Sequence, residues 1–139
     1  GGYVLAEASS GMAEVILIAT GSEVSLALTA RERLEADGTP TRVVSMPCVE
    51  WFNAQPRSYQ QQVLPPVIKA RVSIEAGVPL GWREIVGETG EIVAIDHFGA
   101  SAAAGVLFEQ FGFTPDRVVA AAHASLERAG KITGETTGT

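Results

Sequence analysis

Val15-Ile16-Leu17-Ile18-Ala19-Thr20-Gly21-Ser22-Glu23-Val24 is the stretch that decides the fold. Val15 to Ala19 are apolar without a break and run through Thr20 into a glycine, a serine and an amphipathic segment. Such a run is far below the roughly 20 residues of a membrane span. It reads as a strand covered on both faces, the pattern of a parallel sheet between two helical layers. Gly21 gives the backbone freedom to turn, and Ser22 is placed to cap the helix that follows. The same turn is a candidate anion site, because a helix start carries unpaired N–H groups and partial positive charge. A single glycine is neither a dinucleotide fingerprint nor a Walker loop, so the turn reads first as architecture.

Upstream, Tyr3 to Ala8 predicts a short edge strand ended by Ser9-Ser10-Gly11. Downstream, Ser22 to Asp37 reads as a helix with Ala27, Ala30 and Leu34 on its inner face and Gly38 as its stop. The β-branched run Thr41 to Met46, closed by Pro47, is the next strand, reached by a right-handed crossover. Val49 to Ala54 predicts a helical turn in which Trp51 and Phe52 pack. A helix from Arg57 to Leu64 must end before Pro65-Pro66, since neither proline has a donor. Ile68, Ala70, Val72, Ile74 and Ala76 then alternate with Lys69, Arg71, Ser73 and Glu75, which predicts a strand with one more polar face.

Trp82 to Val86 reads as a short helix before turns at Gly87 and Gly90, and Glu91 to Asp96 as a strand buried on both sides. Ser101 starts a helix carrying Ala103, Val106, Leu107 and Phe111, stopped at Gly112. Thr114-Pro115-Asp116 starts another, with Val119, Ala122 and Leu126 as its buried stripe. The division expected is a domain over 1–128 and a flexible Gly- and Thr-rich tail over 129–139.

The 10 basic and 16 acidic residues give a formal charge of −6, which disfavours nucleic acid and anionic membrane as partners. Cys48 is the only cysteine, so no internal disulfide is possible, and it reads as a small buried hydrophobe. With no signal-peptide pattern and no apolar run of span length, the expectation is a cytoplasmic protein. Gly1 is not an initiating methionine, so a processed product or a piece of something longer is equally consistent.

Ligands of a parallel sheet gather beyond the carboxyl ends of its strands, which here carry Thr20-Gly21-Ser22, Pro47-Cys48, Glu75-Ala76-Gly77 and Asp96-His97-Phe98-Gly99. A nucleophile reading would join Ser22, Cys48 or Ser101 to His97 and Asp96, but adjacent Asp and His side chains point to different sides. A metal reading fails on ligand spacing, because His97 and His123 stand far apart. Glu23, Glu75 and Asp96 set negative charge against a phosphate. No catalytic, cofactor-binding or metal-binding residue is assigned. Thr20, Gly21, Ser22, Asp96 and His97 form a candidate ligand or docking edge.

Gly1-Gly2-Tyr3-Val4-Leu5, Ile18-Ala19-Thr20-Gly21-Ser22-Glu23-Val24, Arg42-Val43-Val44-Ser45-Met46-Pro47, Glu75-Ala76-Gly77, Phe98-Gly99-Ala100-Ser101-Ala102 and Phe108-Glu109-Gln110-Phe111-Gly112-Phe113-Thr114 together resemble the C-terminal domain of transketolase. The similarity runs in order from Gly1 to about Leu126. It implies a three-layer α/β/α domain whose five-stranded mixed sheet is mostly parallel, with the first strand antiparallel. It further implies a full-length homodimeric enzyme that transfers a two-carbon ketol unit from a ketose phosphate to an aldose phosphate in the pentose phosphate pathway. Its thiamine diphosphate and Mg2+, or another divalent cation, lie between the first domain of one subunit and the middle domain of the other. None of the family's cofactor, metal or sugar-phosphate residues maps onto this sequence. The role implied is structural and assembly, with the remaining domains and a second subunit as partners and no catalysis by this segment alone. Alternatives are a regulatory phosphate or sugar-phosphate site at the strand edge, or the same domain of 1-deoxyxylulose-5-phosphate synthase, the pyruvate dehydrogenase E1 β subunit or dihydroxyacetone synthase.

Overall fold

In the computed structural model, which describes residues 2–21, 23–75, 82–94 and 114–137, Val15–Ala19 forms β2 at the middle of a five-stranded sheet. The other strands are β1 (Tyr3–Ala6), β3 (Thr41–Ser45), β4 (Ala70–Glu75) and β5 (Glu91–Ala94), in the spatial order β1-β3-β2-β4-β5. The edge strand β1 runs antiparallel to β3, pairing Tyr3 with Ser45, and the remaining pairs are parallel. The helices are α1 (Glu23–Ala36), α2 (Val49–Asn53), α3 (Arg57–Val63), α4 (Trp82–Val86) and α5 (Pro115–Thr137).

All five side chains of β2 are fully buried, and strand alternation sends them into two separate cores. Val15, Leu17 and Ala19 join Ala27, Ala30 and Leu34 of α1 and Val118, Ala121 and Ala122 of α5. Ile16 and Ile18 join Phe52, Val63, Leu64, Ile85 and Val86, supplied by α2, α3, α4 and the residue after α3. Helices thus cover both faces, as an uninterrupted apolar strand requires. The three-layer arrangement with an antiparallel first strand is the one the resemblance implied.

The ends of the helices follow from local chemistry. At the end of α1, the Gly38 N–H donates to the Glu35 carbonyl and the Thr39 N–H to the Leu34 carbonyl, 3.0 and 2.8 Å. This closing pattern needs a residue at positive φ, and Gly38 has φ 85°. At the start of α5, Thr114 Oγ1 accepts from the Arg117 N–H at 3.2 Å and Pro115 takes the first helical position.

Several expectations need correction. Phe52 is buried as read, but Trp51 is 69% exposed, because adjacent residues of the short helix α2 point about 100° apart and only one can face the sheet. Cys48 is half-buried rather than buried, with Sγ 3.4 Å from Glu50 Oε2. The more polar face of β4 is present as read but largely covered by α3 and α4, with Ser73 fully buried and Arg71 and Glu75 half-buried. The stripe of α5 is rotated by one position, with Val118, Ala121, Ala122 and Ser125 buried and Val119 and Leu126 on its flank. Segment 129–139, read as a tail, is helical as far as Thr137. Propagation adds one hydrogen bond per residue once a helix exists, so the roughly 1 kcal/mol cost of Gly130 does not stop it. The continuation of β5 to Asp96, the helix begun at Ser101 and its stop at Gly112 lie outside the described residues.

Ser125 is the polar member of the α5 stripe and docks the helix on the sheet. Its hydroxyl donates to the Thr89 carbonyl at 2.5 Å and accepts from the Arg71 N–H at 3.0 Å. That N–H precedes the point where β5 enters the ladder, at Val72 opposite Glu91, so a side chain substitutes for a strand. Ser125→Ala leaves both backbone groups without this partner in a buried position. A loss of about 2 kcal/mol in urea unfolding is expected; Ser125→Thr, which retains the hydroxyl, recovers part of it.

Candidate functional site

The chain leaves β2 toward β3 on one side and later leaves β4 toward β5 on the other, so the strand order reverses between β2 and β4. Open α/β sheets offer a crevice for ligands at this point. Thr20 follows β2 and Glu75 ends β4. The register pairs Ala19 with Ile74, so the next residues on the two parallel strands are Thr20 and Glu75. Thr20 Oγ1 donates to Glu75 Oε2 at 2.9 Å and ties the two strand ends together across the crevice.

Gly21 makes the turn at φ 55°, and the chain enters α1 at once. The Glu23 N–H donates to the Thr20 carbonyl at 3.0 Å and the Val24 N–H to the Gly21 carbonyl at 3.2 Å. Two amides that an anion cradle would use are therefore engaged within the turn. Glu23 is buried at the helix start, where its carboxylate meets the positive end of the dipole. The structure thus brings Thr20 and Gly21 together with Glu75 and Glu23. Ser22, Asp96 and His97 lie outside the described residues.

This donor set is rich in acceptors and carries negative charge. It does not fit the diphosphate of thiamine diphosphate, which two carboxylates would repel, and no step of a reaction is derived through that cofactor. Among the described residues, no group of three or more His, Cys, Asp or Glu side chains stands in reach of a common metal ion. No helix among them is long and apolar enough to cross a membrane.

The polar groups that sequence reading missed lie at the other end of the sheet. Arg71 Nε donates to the Ile68 carbonyl at 3.0 Å, Nη1 to that of Ile85 at 2.8 Å, and Nη2 to those of Leu64 and Pro65 at 3.2 and 3.0 Å. Burial holds its guanidinium below the usual arginine range. The signal for it was the Pro65-Pro66 pair, which leaves the carbonyls at the end of α3 short of backbone donors. Glu7 and Glu35 anchor the start of β3 in a similar way. Two hydrogen bonds from Arg42 hold the Glu7 carboxyl below its ordinary range, and the Ser9 hydroxyl and Thr41 N–H do the same for Glu35.

Residues 1–114 match the family described as the transketolase-like TK C-terminal domain. The chain is 54% identical over 130 residues to the transketolase of Mycobacterium leprae (strain TN), covering 91% of this chain and 19% of that protein. It is 52% identical over 122 residues to transketolase 1 of Escherichia coli (strain K12), covering 88% of this chain and 18% of that one. Among solved structures, transketolase from Leishmania mexicana superposes with a TM-score of 0.82 at 41% identity, covering 92% of this chain and 18% of that one. The chain therefore spans about a fifth of the length of these curated relatives. Strand order, two-sided burial and sequence agree over the same residues: the chain belongs to the transketolase-like TK C-terminal domain family.

Proposed function

We propose that this chain serves as the C-terminal structural and assembly domain of a transketolase. That enzyme uses thiamine diphosphate with Mg2+ or another divalent cation to move a two-carbon ketol unit between ketose and aldose phosphates of the pentose phosphate pathway. One observation carries the reading: nine-tenths of the chain aligns, at 54% identity, with about a fifth of a transketolase. The cofactor and the sugar phosphates then belong to the remaining four-fifths. The partners are the preceding domains and the second subunit of a homodimer, and the setting is the cytoplasm. Residues 1–128 form the domain, and 129–137 continue its last helix.

A replacement experiment tests this. The first four-fifths of the Mycobacterium leprae relative, fused to this chain in place of its own final segment, is expected to form a dimer with ketol-transfer activity. The unfused 139-residue chain is expected to give no calorimetric signal with thiamine diphosphate and Mg2+. Micromolar binding by the unfused chain, or a folded fusion without activity, would overturn the reading.

A second reading has one observation in its favour, the position of Thr20 and Gly21 at the point where the strand order reverses. There the edge of Thr20, Gly21, Ser22, Asp96 and His97 takes a phosphate or sugar phosphate as effector. Amide signals of Gly21 and Ser22 followed during titration decide it. Because Glu23 and Glu75 oppose an anion, no shift is expected at millimolar phosphate.

A further inference from the structure

Four of the described arginines are matched to carboxylates: Arg31 to Glu35, Arg33 to Asp116, Arg42 to Glu7 and Arg128 to Glu91. Three others, Arg57, Arg71 and Arg117, pair with no carboxylate among the described residues, in a chain with more acidic than basic groups, and the first two come together. Both line a single cavity of about 340 Å3 between α2, α3 and α4. Arg71 spends four of its five N–H donors on carbonyls, and the fifth has no partner among the described residues. The buried side chains Phe52, Leu64 and Ile85 supply apolar lining, and the exposed Gln61 adds an amide. Its volume is at the lower end for small-molecule sites, and the mix of apolar wall and a few polar groups is typical of them.

We propose that this cavity binds a small organic oxyanion, a phosphate monoester or a carboxylate, with its charged group held by Arg57 and the remaining N–H of Arg71. Two cations left without an ion-pair partner in one cavity favour an anion more strongly than either would alone. The body of the ligand lies against the apolar lining. Glu84 faces the same cavity and pairs with neither arginine, so it weakens the attraction without cancelling it. Arg71 already serves carbonyls that follow α3 and one in α4, so Arg57 contributes the larger share of the binding. The cavity sits at the start of β4, the end of the sheet opposite Thr20 and Glu75, and its occupancy does not depend on the assembly role.

The test follows the side-chain Nε–H signals of Arg57 and Arg71 by NMR on the 139-residue chain. Inorganic phosphate, glycerol 3-phosphate and succinate are added separately, with sodium chloride at matched ionic strength as reference. Saturable shifts of both arginines with a phosphate or with succinate, absent with chloride, are expected, and the better probe identifies the oxyanion. Arg57→Gln, an exposed substitution that leaves the carbonyl contacts of Arg71 in place, is expected to weaken binding roughly tenfold. Glu84→Gln is expected to tighten it a few-fold. Shifts that track ionic strength alone, or saturable binding that survives Arg57→Gln unchanged, would overturn the proposal.

Discussion

Replacing Arg71 with methionine is expected to lower the stability of the domain by about 3 kcal/mol. The side chain donates to the carbonyls of Leu64, Pro65, Ile68 and Ile85, which lie in the segment around the end of α3 and in α4. In a continuing helix the Leu64 carbonyl would accept from the Ile68 N–H, but that N–H donates to Pro65 instead, at 3.0 Å. Pro65 and Pro66 carry no N–H at all, so the chain cannot supply the missing donors from its own backbone. A guanidinium placed on the covered face of β4 does so. The last carbonyls of α3 itself, those of Gln62 and Val63, are served instead by Arg42, so Arg71 covers only the carbonyls that follow.

Methionine retains the apolar stem and much of the volume, so the loss reports the hydrogen bonds rather than a cavity. Water reaching the site through the two cavities that Arg71 borders will re-satisfy part of the carbonyl set, which keeps the figure below a simple sum of four. Arg71→Lys is expected to recover less than half, because a single ammonium cannot reach four acceptors arranged around a planar fork. Urea unfolding followed by circular dichroism measures both. A loss below about 1 kcal/mol for the methionine variant would show that the carbonyls are adequately hydrated without the arginine.

The residues just discussed show where sequence reading reaches its limit. The central strand was legible because an apolar run has one physical solution, burial on both faces, and the Gly38 stop because its closing pattern needs positive φ. Alternation identified β4, yet it could not tell a solvent-facing Arg71 from a covered one. That depends on which helices the crossovers lay over the strand, and the covering helices α3 and α4 lie on either side of it in sequence. Ser125 escaped for a related reason: its spacing from Val118 and Ala122 fits the stripe, but a serine scores as polar wherever it lies. At the candidate edge, the strand-end rule found Thr20 and Glu75. Only the parallel register made them a pair, and that turned a suspected repulsive charge into a structural partner.

The largest single effect is expected at Leu17, where truncation to alanine should cost about 4 kcal/mol, within the range for buried leucines. Leu17 lies at the centre of the middle strand, opposite Val43 on β3 and Val72 on β4, and is fully buried. The size of the penalty depends on how far the surroundings can close on the space left behind. Collapse is hindered here because the backbone on both sides is fixed by parallel ladders. The overlying helix α1 contributes Ala27 and Ala30, whose methyl groups cannot swing into a vacancy.

Leu5, on the edge strand and 41% exposed, provides the contrast: its truncation should cost less than about 1 kcal/mol, since much of its surface already meets water. Urea midpoints at an unchanged slope separate loss of stability from a change in the unfolded state. The two-core arrangement adds a sharper demand. Leu17 and Ile18 are neighbours in sequence but enter opposite layers, so they share no packing partners. Leu17→Ala and Ile18→Val should therefore combine additively, with a coupling below about 0.5 kcal/mol, despite adjacent backbones. A larger coupling would mean that the sheet transmits strain between its faces, and that each helical layer stabilises the other through it.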